Sequence, residues 1–458
     1  MPLRRRGFAE AAVLAFGLAV AAVWPLSAYA FSPLLLPAAA LGAGMVVLIL
    51  RRPEYGIAVG AALFPLLNIT LNLGRLGTFQ PLKFTLPVLP FVLLAYGLVT
   101  VRRKEGWEAR GLAVVVLVMA LVAAASDLSG VASSAGVGDL AQLVAAAGLG
   151  LAVLQICRRP SQLVVVVAGV LVGLLIASTQ GIYQHFAHQY STGGFLVDGE
   201  NVGRIAGSFP HPNQFAGYVA VFIPLAGALA FTKGVPRWLR IGSAIIFALA
   251  LPALSYAYAR GAIGALVLGC VIWLALQRRG TALVALVVVA IAGFLVAPTT
   301  LKDRLQSVDS GEVTLRSDLW KSALDIYSRD PVLGAGLGRF ADAYEALPST
   351  GNIASQKRLL HNQQVLVPPA ANNLYLTTLA EQGFLGLLAL LAFLAYALWA
   401  AFAAAKSAHP IGRAIGFGLG AGTLTLMLHG ILEVTLMGVL APLIVLTAAA
   451  VLYPSLEK

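Results

Sequence analysis

The chain has 458 residues, of which 59% are hydrophobic and only 11% charged, with a mean hydropathy of +0.87. Soluble domains carry about 25% charged residues, so a soluble globular fold is excluded and an all-α polytopic membrane protein is expected. The formal net charge of +12 does not read as a nucleic-acid footprint, because the basic residues sit in short loops between apolar runs, as the cytoplasmic bias of Lys and Arg requires.

In chain order, spans are predicted near 8–28, 33–50, 55–72, 82–101, 110–127, 139–157, 161–183, 213–232, 240–258, 261–277, 281–298, 380–405, 411–432 and 435–453. That makes about fourteen in a single integral domain over 1–458, each long enough for ~30 Å of hydrocarbon. The opening MPLRRRGFAEAAVLAFGLAV is read as a retained helix and not a cleaved signal, since no convincing cleavage site precedes the next span. Arg51 and Arg52, Arg102 to Lys104, Arg158 and Arg159, Lys233 with Arg237 and Arg240, Arg278 and Arg279, and Lys406 with Arg413 follow the even-numbered spans. This alternation places both termini in the cytoplasm. Cys157 and Cys270 have no metal-ligand spacing and lie near predicted cytoplasmic helix ends, so no disulfide is expected.

The outside loops are then 73–81, 128–138, 184–212, a tight turn at 259–260, and 299–379. The last is far longer than the others. Within it LRSDLWKSALDIYSRDP (315–331) places Leu315, Leu319, Trp320, Ala323, Leu324 and Tyr327 at helical spacing among charged residues. Such a helix either lies at the outer membrane interface or packs as an ordinary loop helix. Pro331 ends it and GAGLG (334–338) turns the chain. No internal repeat of fixed period and no strand-rich domain is apparent.

The polar residues gather outside. Arg204, His211 and Asn213 precede the span near 213–232, and Arg260 stands in the turn between two spans. An arginine there snorkels to lipid phosphate, or it joins Arg204 in an anion site, since guanidinium groups bind phosphate bidentately and keep their charge. Pro212 or Asn213 is expected to begin its helix, leaving N–H groups aimed outward, which also favours anions. His211 is a base, a ligand or a contact at the helix cap. Arg316 and His361 add polar chemistry in the long loop. Glu381, in NNLYLTTLAEQGFLGLL (372–388), is expected to be buried and to pair with an arginine. His429 and Glu433, spaced i, i+4, are expected to satisfy one another on one helix face. No phosphate-binding glycine loop, DxD or acidic metal cluster occurs, so no cofactor and no metal is expected, and the substrate should arrive already activated, as a lipid-linked species at the outer leaflet.

Three ordered stretches resemble the O-antigen ligase and polymerase superfamily of bacterial inner-membrane glycosyltransferases. RIAGSFPHPNQFAGY (204–218) is similar to its Arg–x–x–Gly–x–Phe…Asn motif, SYAYARGAIGAL (255–266) to its Ala-Arg-Gly turn, and LRSDLWKSALDIYSRDPVLGAGLGRF (315–340) to its Arg…Trp…Pro-x-x-Gly-x-Gly loop. The likeness covers roughly 204–388. It implies a GT-C-like, metal-independent and inverting transfer of a glycan from an undecaprenyl-diphosphate donor at the periplasmic face. The acceptor would be lipid A–core or a lipid-linked repeat, with a chain-length regulator as a possible partner. Arg204, Arg260 and Arg316 would hold the diphosphate, with Asn213, Asn372, Tyr375 and Glu381 in support.

One position departs from the family. Its usual His-Asn-x-Tyr/Phe-Leu string reads here Asn372-Asn373-Leu374-Tyr375-Leu376. The histidine slot thus holds an amide that takes no proton near neutral pH. The pair His361-Asn362 lies eleven residues earlier, so His361 stands first as general base and His211 second. The alternatives are a flippase or transporter for a lipid-linked glycan, and a catalytically silent relative that binds one.

Overall fold

The computed structural model describes residues 51–67, 71–72, 78–79, 89, 93, 107–129, 134–197, 200–296, 299–306, 310–348 and 370–456. The spans expected near 8–28 and 33–50, nearly all of that near 82–101, and His361 lie outside these residues.

The described membrane segments begin with α1 (Pro53–Leu63), followed by a 3-10 turn at Phe64–Leu66 and a minimal hairpin, β1 (Leu71–Asn72) with β2 (Thr78–Phe79). Helical structure is thus shorter here than the span expected at 55–72. Pro65 has no N–H for a bond to the preceding turn, and the helix tightens and stops. Helices α2 (Trp107–Ser129), α3 (Ser134–Ile156) and α4 (Pro160–Phe186) follow. An antiparallel hairpin, β3 (Ser191–Val197) with β4 (Glu200–Arg204), then fills much of the expected 184–212 loop. Next come α5 (Pro212–Phe231), α6 (Arg237–Tyr256), α7 (Arg260–Leu276) and α8 (Gly280–Val296). The long loop carries α9 (Thr299–Gln306), α10 (Ser310–Arg329) and α11 (Phe340–Glu345), and the chain closes with α12 (Leu374–Ala405), α13 (Pro410–His429) and α14 (Leu436–Leu456). Among the described residues, eight helices are long and apolar enough to cross a membrane, and α7 and α8 are shorter apolar helices. The chain is a multi-pass membrane protein.

Local sequence explains the helix starts. Pro53, Pro160, Pro212 and Pro410 each open a helix, where a missing N–H leaves nothing unpaired and φ is already set. Helix α13, with the glycine-rich run GRAIGFGLGAG (412–422), is the axis of the C-terminal half and packs on α5, α7 and α12. A methyl group at Gly416 would overlap the α12 backbone at Ala401 to Ala405, one at Gly420 the Trp273 ring of α7, and one at Gly422 the Val221 carbonyl of α5. Close backbone approach through small residues is how helices associate where lipid removes the hydrophobic drive.

The helix ends sort into two sets. At one end, Gln162 at the start of α4 donates to Glu54 of α1 (3.3 Å), Gly234 abuts Pro410, and Tyr453 near the end of α14 meets His409 (3.0 Å). Arg51, Arg52, Arg158, Arg159, Lys233, Arg237, Lys406 and Arg413 belong to these loops. The opposite end carries the β3–β4 hairpin, the α6–α7 turn, α10, and the start of α12.

Helix α10 packs on α12 through Leu319, Ala323 and Ile326, which form a second core with Phe340, Tyr344 and Ala380. Of the two expectations for 315–331, this is the packed loop helix. Leu324, placed on the apolar face from sequence, is exposed, and Ile326 takes its place inside. Helix α12 begins six residues before its expected start at 380 and is broken at Gly383 (φ 64°, ψ −165°). The loop after α10 docks in the break. Ala335 N–H donates to Ala380 O (2.9 Å), Gly336 N–H to Glu381 O (2.8 Å), and Phe384 N–H to Pro331 O (2.9 Å). Ser126 Oγ of α2 also donates to Glu381 O (2.7 Å). Every backbone group freed inside a membrane segment needs such a partner.

Candidate functional site

The segment entering α5 is held by side chains from elsewhere. Gln184 of α4 accepts from Gly207 N–H (2.8 Å) and Ala206 N–H (3.2 Å), and donates to Gly207 O (2.8 Å). Gly207 has φ 58°, a conformation in which glycine is unstrained. Ser208 Oγ donates to Pro65 O (2.9 Å). These bonds fix Arg204 at the end of β4 and His211 at the cap of α5.

Arg204 is only 5% exposed. Its Nε donates to Ala257 O in the α6–α7 turn (2.8 Å), and an Nη donates to Asn213 Oδ1 (2.6 Å). Asn213 Nδ2 in turn donates to Glu433 Oε2 (2.8 Å), and Val434 N–H donates to Glu433 Oε1 (3.1 Å). A guanidinium, an amide and a carboxylate are thus joined in series across 229 positions of sequence (433 − 204).

Arg260 is the first residue of α7 and is partly exposed. Its neighbour Gly261 faces Leu432 and His429, with room for a methyl group only in tight contact with Leu432. Arg316, also partly exposed, donates from Nη1 to Leu432 O. The start of α12 meets the same stretch. Asn373 caps the helix by accepting from Leu376 N–H (3.0 Å), and its Nδ2 donates to Ile431 O (3.0 Å). Leu374 N–H donates to Gly430 O (2.6 Å), and Tyr375 OH donates to Met427 O (2.8 Å). Asn372 is left-handed at φ 50°. The turn 430–435 between α13 and α14 therefore gathers Arg316, Asn213 and the α12 cap, beside Arg260.

His211 Nδ1 accepts from Asn213 N–H (3.2 Å). That bond puts the imidazole proton on Nε2, which makes Nε2, and not Nδ1, the donor. Burial pushes His211 below its usual range, Glu433 pulls it back up, and Arg204 and Arg316 push it further down. The residue is therefore a neutral cap whose tautomer is set by its own helix. The three arginines outnumber Glu433, and the positive N-terminal ends of α5, α7 and α12 face the same region. Chemically, the arrangement favours an anion with oxygens spread over several ångströms.

Two expectations need correction. Glu381 is buried, but its Oε1 accepts from Phe340 N–H (3.1 Å) and the arginine next to it, Arg339, turns instead to Asp127 (3.4 Å). His429 and Glu433 do not form a pair on one helix face, because α13 ends at His429. His429 Nδ1 meets Thr435 Oγ1 (3.1 Å), while Glu433 serves Asn213. Sequence reasoning therefore missed Glu433 as a member of the arginine network, along with Gln184. No local spacing signals either one.

Fold and site together define a polytopic α-helical membrane protein with a cationic cluster at the end opposite its basic loops. Residues 244–391, from within α6 to the middle of α12, match the family model for O-antigen ligase. The match covers 148 residues of the 458 (391 − 244 + 1) and supports a likeness of this segment to the O-antigen ligase and polymerase superfamily. It takes in Arg260, Arg316, Asn372, Tyr375 and Glu381, while Arg204, His211 and Asn213 precede it. A comparison with curated proteins finds no match.

Proposed function

We propose that the chain transfers a glycan from an undecaprenyl-diphosphate donor to a lipid-linked or lipid A–core acceptor at the periplasmic face, without metal and with inversion. The observation that carries this reading is the gathering of Arg260 and Arg316 beside the 430–435 turn, with Arg204 tied to it through Asn213 and Glu433, at three helix N-termini. Arg260 and Arg316, being partly exposed, take the diphosphate oxygens. Arg204 acts from beneath as a positioning residue that fixes Asn213 and the α6–α7 turn. An acceptor hydroxyl oxygen forms the new bond to the anomeric carbon while the bond to the diphosphate oxygen breaks. The hydroxyl proton passes to a base, for which His361 is proposed, since His211 presents a donor. Undecaprenyl diphosphate leaves with the bond's electron pair. Fixed cations in a partly dry site stabilise the charge that develops on it.

Transporters also use broken helices, with unwound backbone lining a substrate path. The break in α12 is instead filled by protein backbone from 331–336, which favours the transferase over the flippase reading. The test is single-turnover transfer by the purified protein in lipid nanodiscs from a labelled undecaprenyl-diphosphate glycan. Loss of one donor to a developing anion lowers rate by about 100- to 1000-fold, and Arg260→Ala should fall in that range with its folded yield unchanged. Transfer at the unaltered rate would remove Arg260 from the site, and movement of the glycolipid between leaflets without transfer would establish the flippase.

A further inference from the structure

An aromatic cluster that the proposed chemistry does not use lies beside the arginines. At the end of α4, the segment TQGIYQHFAHQYST (179–192) has no acidic residue, lysine or arginine, and consists largely of aromatic, imidazole, amide and hydroxyl side chains. Tyr183 and Phe186 are 62% and 69% exposed, and Tyr190 is exposed as well. The His185 ring stacks on Tyr256 of α6 (centroids 3.7 Å apart, planes at 3°) and stands edge-on to Phe186 and Tyr190. His188 Nδ1 and Tyr190 OH lie 3.2 Å apart. The stack holds Phe186 and Tyr190 against His185 and Tyr256, with Tyr183 one turn before Phe186 on α4, and His188 and Tyr258 both adopt left-handed backbone (φ 53° and 49°), a strained state for such residues that concentrates at ligand sites.

The surface is continuous with the cation cluster by two routes. Tyr256 is followed by Ala257, whose carbonyl oxygen accepts from Arg204. Gln184, between Tyr183 and His185, clamps the Ala206–Gly207 backbone two residues beyond Arg204. We propose that Tyr183, Phe186 and Tyr190, backed by His185 and Tyr256 and flanked by His188, form a saccharide platform that receives an uncharged sugar ring of the glycan whose diphosphate sits on the arginines. The proposal rests on the diphosphate reading given above. Sugar rings present flat C–H faces to aromatic rings and hydroxyls to imidazole, phenol and amide groups, and the lack of formal charge in the segment selects against acidic or basic sugars. A membrane-interface aromatic belt is the other role for exposed tyrosines, and such a belt would act on the lipid alone.

The experiment compares two probes on the purified protein in nanodiscs, by native mass spectrometry or thermophoresis. One is undecaprenyl diphosphate and the other is undecaprenyl diphosphate carrying a single N-acetylhexosamine. The sugar-bearing probe should bind about tenfold more tightly. The double variant Tyr183→Ala/Phe186→Ala, both exposed and so compatible with folding, should lose that increment and bind the sugarless lipid as before. Equal weakening toward both probes would show an interfacial belt and overturn the platform. Equal affinity of the unaltered chain for both probes would also overturn it, while leaving the diphosphate site standing. Failure of the unaltered chain to bind either probe would overturn the diphosphate reading and the platform with it.

Discussion

At the scale of single residues, the site depends on polar groups that complete one another at a distance. Arg204 orders Asn213, Asn213 orders Glu433, and His211 caps the helix that Asn213 belongs to. Because His211 has a lowered folded pKa, the unfolded chain binds its proton more readily than the folded one. The contribution of neutral His211 is therefore complete above the unfolded value of about 6.5 and is lost as pH falls from there through the lowered folded pKa. Melting temperature measured from pH 8 to pH 5 should drop more steeply below about pH 6.5 in the unaltered protein than in His211→Asn. Asparagine keeps the cap acceptor without a titrating ring. Parallel pH profiles for the two proteins would show that His211 does not carry this dependence. The arginines are legible in sequence because charged residues make up only 11% of this apolar chain. Glu433 is not, because its partner lies 220 residues earlier (433 − 213) and its nearest ionisable neighbour in helical spacing, His429, suggests a different pairing.

The element that most shapes the site is the broken α12. Gly383 combines a positive φ with a ψ near −165°, a region open essentially to glycine alone, and a side chain there would overlap the Val332 backbone. Gly334 answers it from the docked loop with φ 69°. Gly383→Ala should destabilise the protein by at least about 1–3 kcal/mol, seen as a lowered melting temperature and faster proteolysis within 310–348. An unchanged melting temperature and digestion pattern would mean that the loop does not depend on this break. The sequence offers GAGLG as a turn but not its destination. The bonds run between main-chain groups 45 to 53 residues apart (380 − 335 and 384 − 331), and such pairs leave no trace in side-chain pattern. The β3–β4 hairpin is legible only through Asp198-Gly199, a hairpin signal, because the strand after it, ENVGR (200–204), has no apolar alternation. The helical register of α10, by contrast, was clear from the 3.6-residue spacing of its apolar positions, with the one exchange of Ile326 for Leu324.

For the whole molecule, the two sets of helix ends give a directional expectation. With both native cysteines replaced by alanine, Tyr190→Cys should react with a membrane-impermeant thiol reagent added to intact cells. Lys233→Cys should react only after permeabilisation, as the cytoplasmic bias of basic loops requires. The reverse pattern would invert the topology, and with it the proposed periplasmic placement of the site. The 430–435 turn carries a further consequence, for the order of biosynthesis. It bonds to Asn213, Arg316 and Asn373, all of which leave the ribosome earlier. Arg204 can already hold Asn213 and Ala257, but the bonds from Asn213, Arg316 and Asn373 to this turn form only once α13 and the turn beyond it are threaded. A nascent chain would thus have no assembled anion site to hold a glycolipid until the last part of the bundle is in place.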